Sequence, residues 1–193
     1  MSPPHRSPPG KERCTFPIEA SPPGIYKDRV KTYTLECELA TPVSVQTAFD
    51  VFEDPYNLAK IIPPWLHFQI LTRDLKMRLG AEIDYTFRWK GFPMYWKTRI
   101  SQYEPPFLFM DEALRSPYVF WRHEHRFRHT ERGTIVSDRV QYAMPYGLAG
   151  QLVHRLAVAK QLLAIFSFRQ KAIAKLLGAE GHPIKEPLII EAI

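Results

Sequence analysis

Trp121-Arg122-His123-Glu124-His125-Arg126-Phe127, followed across a short turn by Gly133-Thr134-Ile135-Val136-Ser137-Asp138-Arg139-Val140-Gln141-Tyr142, decides how this chain folds. At period two, one face of the first segment carries Val119, Trp121, His123, His125 and Phe127. The other carries Phe120, Arg122, Glu124, Arg126 and Arg128. Successive side chains alternate across a strand, so this is a half-buried strand with two histidines on its apolar side. The second segment alternates likewise and sets Asp138 among Val136, Val140 and Tyr142. Polar groups held where hydrocarbon would cost less need partners. The pattern predicts a polar-tipped pocket inside a curved sheet.

The two strands fit together as a hairpin. With Glu131-Arg132 as the turn, Thr130 faces Gly133, His125 faces Asp138, His123 faces Val140, Trp121 faces Tyr142 and Phe127 faces Val136. A slip of one residue would bury Arg139 and expose Val140, so parity selects this set of registers. A slip of two would place His123 opposite Asp138, and the partner of the aspartate stays open between the two histidines. Glu-Arg is not a favoured two-residue turn, and a bulge at Gly133 is the alternative.

Upstream, Tyr33, Leu35, Cys37 and Leu39 alternate with polar residues as a first strand. Thr41-Pro42 then opens a short helix with Val45, Ala48, Phe49 and Phe52 on one face. Asp54-Pro55 ends it, and a second helical turn runs from Asn57 to Lys60. Strands are expected over Trp65–Leu71, Glu82–Lys90, Met94–Ile100 and Phe107–Ala113. Tyr85, Phe87, Trp89, Met94, Trp96, Trp121 and Tyr142 are expected on inward faces. Asp111, alternating with Phe107 and Phe109, is a further inward polar group. The connections are too short for parallel crossovers, so the sheet reads as antiparallel.

After Pro145 and Gly147 the apolar period changes to 3.6. Leu148, Leu152, Leu156, Ala159, Leu163, Phe166, Ile173 and Leu177 form one expected stripe, ending at Gly178. A helix of about thirty residues is roughly 45 Å long and can cover the sheet's apolar face. The fold class is therefore α+β: two short helices after the first strand, then a curved antiparallel sheet wrapped around a long C-terminal helix. Residues 1–30 carry seven prolines and few apolar groups, the composition of a disordered arm; 31–178 form the domain and 179–193 a tail.

A net charge of +6 is spread among acidic residues rather than gathered in a run. No nucleic-acid partner is expected, and a membrane surface is at most a weak one. No apolar run is long enough for a transmembrane segment. Cys14 and Cys37 carry no metal spacing, and the N-terminal residues contain no secretory apolar core, which points to the cytoplasm.

Six stretches carry a family likeness: Asp54-Pro55-Tyr56-Asn57-Leu58, Ile62-Pro63-Pro64-Trp65-Leu66, Gly91-Phe92-Pro93-Met94-Tyr95-Trp96, Trp121 to Phe127, Gly133-Thr134 with Asp138-Arg139-Val140-Gln141-Tyr142, and Ile165-Phe166-Ser167-Phe168-Arg169. Over residues 31–178 the chain resembles the SRPBCC (START-like) superfamily, and within it the bacterial polyketide cyclase/dehydrase-like ligand-binding group. The resemblance implies the helix-grip fold and a cavity for a small hydrophobic or aromatic molecule between sheet and helix. It implies no reaction and no cofactor, because fold likeness does not fix chemistry.

Three functions fit the residues. A carrier or sensor would line its cavity with Tyr85, Phe87, Trp89, Met94, Trp96, Trp121, Tyr142, Leu156 and Leu163, and place His123, His125 and Asp138 at its polar tip. A cyclase or dehydratase would use His125 or His123 with Asp138 as acid and base. An interaction module would use the Pro-rich arm and the basic strand face. His-x-His beside a carboxylate also suits zinc or iron. No third histidine faces the pair clearly (His67 and His154 are the core candidates), so no metal is expected. The oligomeric state has no signature here.

Overall fold

The structure, a computed structural model, describes residues 30–191, so the expected arm lies outside the described residues apart from Val30. β1 (Thr32–Thr41) buries Tyr33, Leu35, Cys37, Leu39 and Thr41 and leaves the residues between them half-buried. Ser44 caps α1 (Val45–Glu53) by accepting the Thr47 N–H, which satisfies an amide the helix cannot. Asp54 ends α1 and caps α2 (Pro55–Ile61), where Pro55 sits in the turn that needs no donor. The strand expected over Trp65–Leu71 is mostly absent. Pro64–Leu66 instead form a 3-10 turn, and only Gln69–Ile70 pair, as β2. Pro63-Pro64 fix the backbone and supply no ladder donors, which favours a turn over a strand.

The meander comes next: β3 (Glu82–Trp89), β4 (Phe92–Glu104), β5 (Leu108–Arg115), β6 (Phe120–Thr130) and β7 (Gly133–Ala143). Across β6 and β7, Thr130 faces Gly133, His125 faces Asp138 and Trp121 faces Tyr142, the register that parity selected. Gly133 has a specific reason to be glycine. At φ +125°, a Cβ there would lie 2.1 Å from the Thr41 carbonyl oxygen. Only a bare Cα lets β7 start so close to the end of β1.

The C-terminal helix is α3 (Gly147–Val153), a π-helical segment (His154–Val158) and α4 (Ala159–Leu176). The expected stripe holds at Phe166, Ile173 and Leu177 and is corrected upstream, at Leu148, Leu152 and Leu156. An i→i+5 turn takes up an extra residue and rotates the downstream helix face relative to the upstream one. Leu148 and Leu156 are 83% and 69% exposed, while Val158, Leu162, Phe166, Arg169, Ile173 and Leu177 are buried.

Part of the expected tail is a strand. Ile184–Glu191 form β8, antiparallel to β1. Pro187 falls where the register shifts between Glu36 and Glu38, and an edge strand tolerates it. The sheet order is β2-β3-β4-β5-β6-β7-β1-β8. This curved antiparallel sheet gripping the long helix is the helix-grip α+β fold. Phe49 packs edge-on against Phe109 and Phe127, which ties α1 to the sheet beside the histidines. No described helix is long and apolar enough to cross a membrane.

Candidate functional site

Between sheet and helix lies a cavity of about 390 Å³. Its walls are mostly aromatic and aliphatic, with Thr98, Asp111, His123, His125, Gln161 and Arg169 as the main polar contributors. Tyr85, Phe87, Trp89, Met94, Trp96 and Trp121 line it together with the two histidines. The rings brace one another: Trp96 stacks on Tyr85 at 6.0 Å and meets Trp121 edge-on at 5.3 Å.

Four residues expected at the site stand elsewhere. Leu156, within the π turn, faces outward, and Leu163 is half-buried beside the wall that its neighbour Leu162 joins. Tyr142 is fully buried behind the wall, its hydroxyl 2.8 Å from His154 Nε2. Asp138 also lies behind the wall, where it holds the histidines that do face the cavity. Of the remaining histidines, His154 is taken by Tyr142 and stacked on Tyr33, and His67 is exposed in a left-handed turn.

The polar tip is built on three adjacent strands. Asp111 of β5 is opposite His123 of β6, and His125 is opposite Asp138 of β7. One oxygen of Asp138, Oδ1, serves both imidazoles: it lies 3.1 Å from His123 Nε2 and 2.6 Å from His125 Nδ1. The first is a hydrogen bond. The second meets off the N–H direction, so it acts as a close charge contact rather than a directed bond. On the cavity side, Asp111 Oδ2 stands 3.7 Å from His123 Nδ1 and 3.8 Å from His125 Nε2. The Thr98 hydroxyl donates to Asp111 Oδ1 at 2.9 Å. Phe109 stacks on the His125 ring at 4.3 Å and Phe52 meets it edge-on at 5.5 Å. Hydrocarbon therefore encloses the group and keeps its electrostatics strong.

These contacts divide the two histidines. Burial disfavours charge on either ring. At His125 the Asp138 charge and the contacts to Asp111 and Asp138 overcome burial and raise the pKa above its ordinary value. At His123, burial and the neighbouring His125 charge outweigh the Asp138 bond and hold the pKa down to about 4. Burial would raise both carboxyls, but the histidines bring Asp111 below the ordinary range and Asp138 well below it. The contacts thus favour the proton on His125 over His123 and keep both carboxyls ionised. Asp111, His123 and His125 also offer three ligand atoms within 4.8 Å of one another, a set able to hold a small cation. Sequence reading placed Asp111 inward, but only the β5–β6 pairing brings it to the two histidines.

Thr98 and Gln161 were not read as site residues, and neither was Arg169, quoted above only within a family-like stretch. Its signal was its spacing: it comes three residues after Phe166 on the buried side of α4. It lines the cavity.

Residues 41–166 match the family described as polyketide cyclase / dehydrase and lipid transport. No curated protein matches the chain in sequence. Among solved structures, a Thermus thermophilus protein superposes with a TM-score of 0.61 at 13% identity, covering 77% of this chain and 99% of that one. A protein from Chromobacterium violaceum gives 0.58 at 18% identity, covering 75% and 96%. A point mutant of norcoclaurine synthase from Thalictrum, in complex with a transition state analogue, gives 0.57 at 15%, covering 78% and 99%. At these identities the likeness is one of fold.

Proposed function

The chain belongs to the polyketide cyclase / dehydrase and lipid transport family, and we propose that it binds a small hydrophobic or aromatic molecule between sheet and helix, as a carrier or sensor. The cavity carries this reading. Its volume of about 390 Å³ falls within the range of small-molecule sites, and its apolar wall with a few convergent polar groups is their usual composition. A ligand in it would lay its apolar body against Tyr85, Phe87, Trp96 and Trp121 and turn a polar group toward His123 and His125. Native mass spectrometry of protein from its own host is expected to show a co-purifying small molecule at one per chain. Met94→Trp, which adds bulk to the wall, should displace it. A chain that never retains or binds such a molecule overturns the reading.

One observation favours an acid–base enzyme as the second reading: two imidazoles with oppositely shifted pKa values stand side by side at the cavity wall, their ring centroids 3.9 Å apart. Two titratable groups whose surroundings drive their pKa values apart are suited to act as acid and base. In that reading His125 donates a proton to a ligand oxygen while His123 Nδ1 accepts one. Turnover of a bound polyketide-like ketone, lost in His125→Ala and His123→Ala and bell-shaped in pH, would establish the enzyme. Binding without product keeps the carrier.

A further inference from the structure

We propose that Arg169 is the receptor for an anionic group of the ligand, so that the molecule bound is an amphipathic acid: an apolar body with one carboxylate or equivalent oxyanion. The proposal rests on the cavity reading and names the chemistry of its occupant.

Arg169 is the sole lysine or arginine on the cavity wall among the described residues, and it is 7% exposed. Its guanidinium carbon lies 5.4 Å from the Phe166 ring centroid, and that ring in turn meets His123 edge-on at 5.4 Å. The cation thus sits one ring away from the His-Asp group. Among the described residues it makes no hydrogen bond and has no carboxylate oxygen within 4.0 Å, and its Nε is enclosed without a partner. Other arginines of this chain do find carboxylates: Arg122 reaches Glu112, and Arg99 reaches Glu82, each at 2.7 Å.

A guanidinium presents five donors and cannot shed its proton, so burial does not neutralise it as it does His123. Asp111 and Asp138 leave the nearby group net negative even where His125 carries a proton. That field offsets the cation from a distance but fills none of its donors. Trp96 Nε1 is a second cavity-wall donor enclosed without a partner. Buried donors left unfilled carry a full desolvation cost. An uncharged hydrocarbon ligand would worsen it by displacing any water at Arg169. A carboxylate fits the planar fork of the guanidinium in a bidentate pair, while a cationic ligand would be repelled.

The test uses two fluorescent probes of one shape on the full chain: anilinonaphthalene sulfonate, which is anionic, and the uncharged N-phenyl-1-naphthylamine. Both are expected to bind the same site, at one per chain and in competition, and Met94→Trp should weaken both. Arg169→Gln should weaken the anionic probe by roughly 10- to 100-fold, the loss of a charge-assisted bond, and change the uncharged probe less than about twofold. Should that variant not fold, Arg169→Met keeps the side chain's bulk in an apolar wall and should give the same selective loss. It should also leave the melting temperature of the free protein nearly unchanged, since no hydrogen bond or ion pair is lost and only the contact with the Phe166 ring is given up. Equal effects on both probes, or none on either, overturn the role of Arg169 while Met94→Trp still reports on the cavity. If Met94→Trp leaves both probes unaffected, the cavity reading itself fails.

Discussion

Replacing Asp138 with asparagine should lower stability by about 3 kcal/mol at pH 7. The carboxylate is 4% exposed and its Oδ1 contacts both imidazoles. Breaking one side of a buried ion pair costs roughly 3–5 kcal/mol, because the other charge is left uncompensated. Asparagine keeps an acceptor for His123 Nε2, which places the loss at the low end. His125 can also relieve itself by giving up its proton, leaving the aspartate-free site with two neutral rings. In a domain of this size, 3 kcal/mol corresponds to a fall in Tm of roughly 6–12 °C. Urea and thermal unfolding of Asp138→Asn, His125→Gln and the double variant measure it. The pair should couple by about 2 kcal/mol, since the second substitution removes a charge already stranded by the first. Additive single effects, or a loss below about 0.5 kcal/mol for Asp138→Asn, would refute the account of a carboxylate compensated by His125.

The pH dependence of stability, measured in a chelator, should peak near pH 6.5. Below that value the unfolded chain protonates His123 while the folded protein resists to about 4, so roughly 3 kcal/mol is lost by pH 4. Above it the folded protein keeps the His125 proton that the unfolded chain has released, and this contribution disappears as pH rises through the raised folded value. A flat profile from pH 5 to 8 would contradict both directions. Gly133→Ala should cost more than about 3 kcal/mol or abolish folding, because the new Cβ meets the Thr41 carbonyl at 2.1 Å in a left-handed backbone; wild-type unfolding would show the turn to be pliable. The π turn is tested by a pair of substitutions. Leu156→Ser should change stability by less than about 0.5 kcal/mol, and Leu162→Ala should cost roughly 2–5 kcal/mol; the reverse order would restore the unbroken stripe.

The hairpin register was legible because period-two alternation makes a one-residue slip visible: it would have buried Arg139. Which histidine partners Asp138 was not legible, and the reason is that one oxygen touches both rings. Alternation placed Asp111 inward, but only the β5–β6 pairing sets it opposite His123. The aromatic wall was readable from strand faces alone. The helix misled because leucines occupy more than one stripe, so a phase change at His154–Val158 leaves no gap in the apolar pattern. Pro187 concealed β8, since proline argues against a strand except at an edge, and edge position is a property of topology. Arg169 stayed hidden because a positive residue on a helix reads as solvated until its surroundings are known.

The pairing of β1 with β8 brings the ends of the described chain together, with Tyr33 opposite Glu191. Partners across an antiparallel ladder are about 5 Å apart, so a linker of about four residues could join the two ends. New ends could then be opened at the exposed β3–β4 turn around Gly91, which crosses no other part of the sheet. Such a circular permutant should keep every strand contact of the native sheet and the cavity with it. The first and last strands of the described residues are thus neighbours in one sheet, away from the cavity wall.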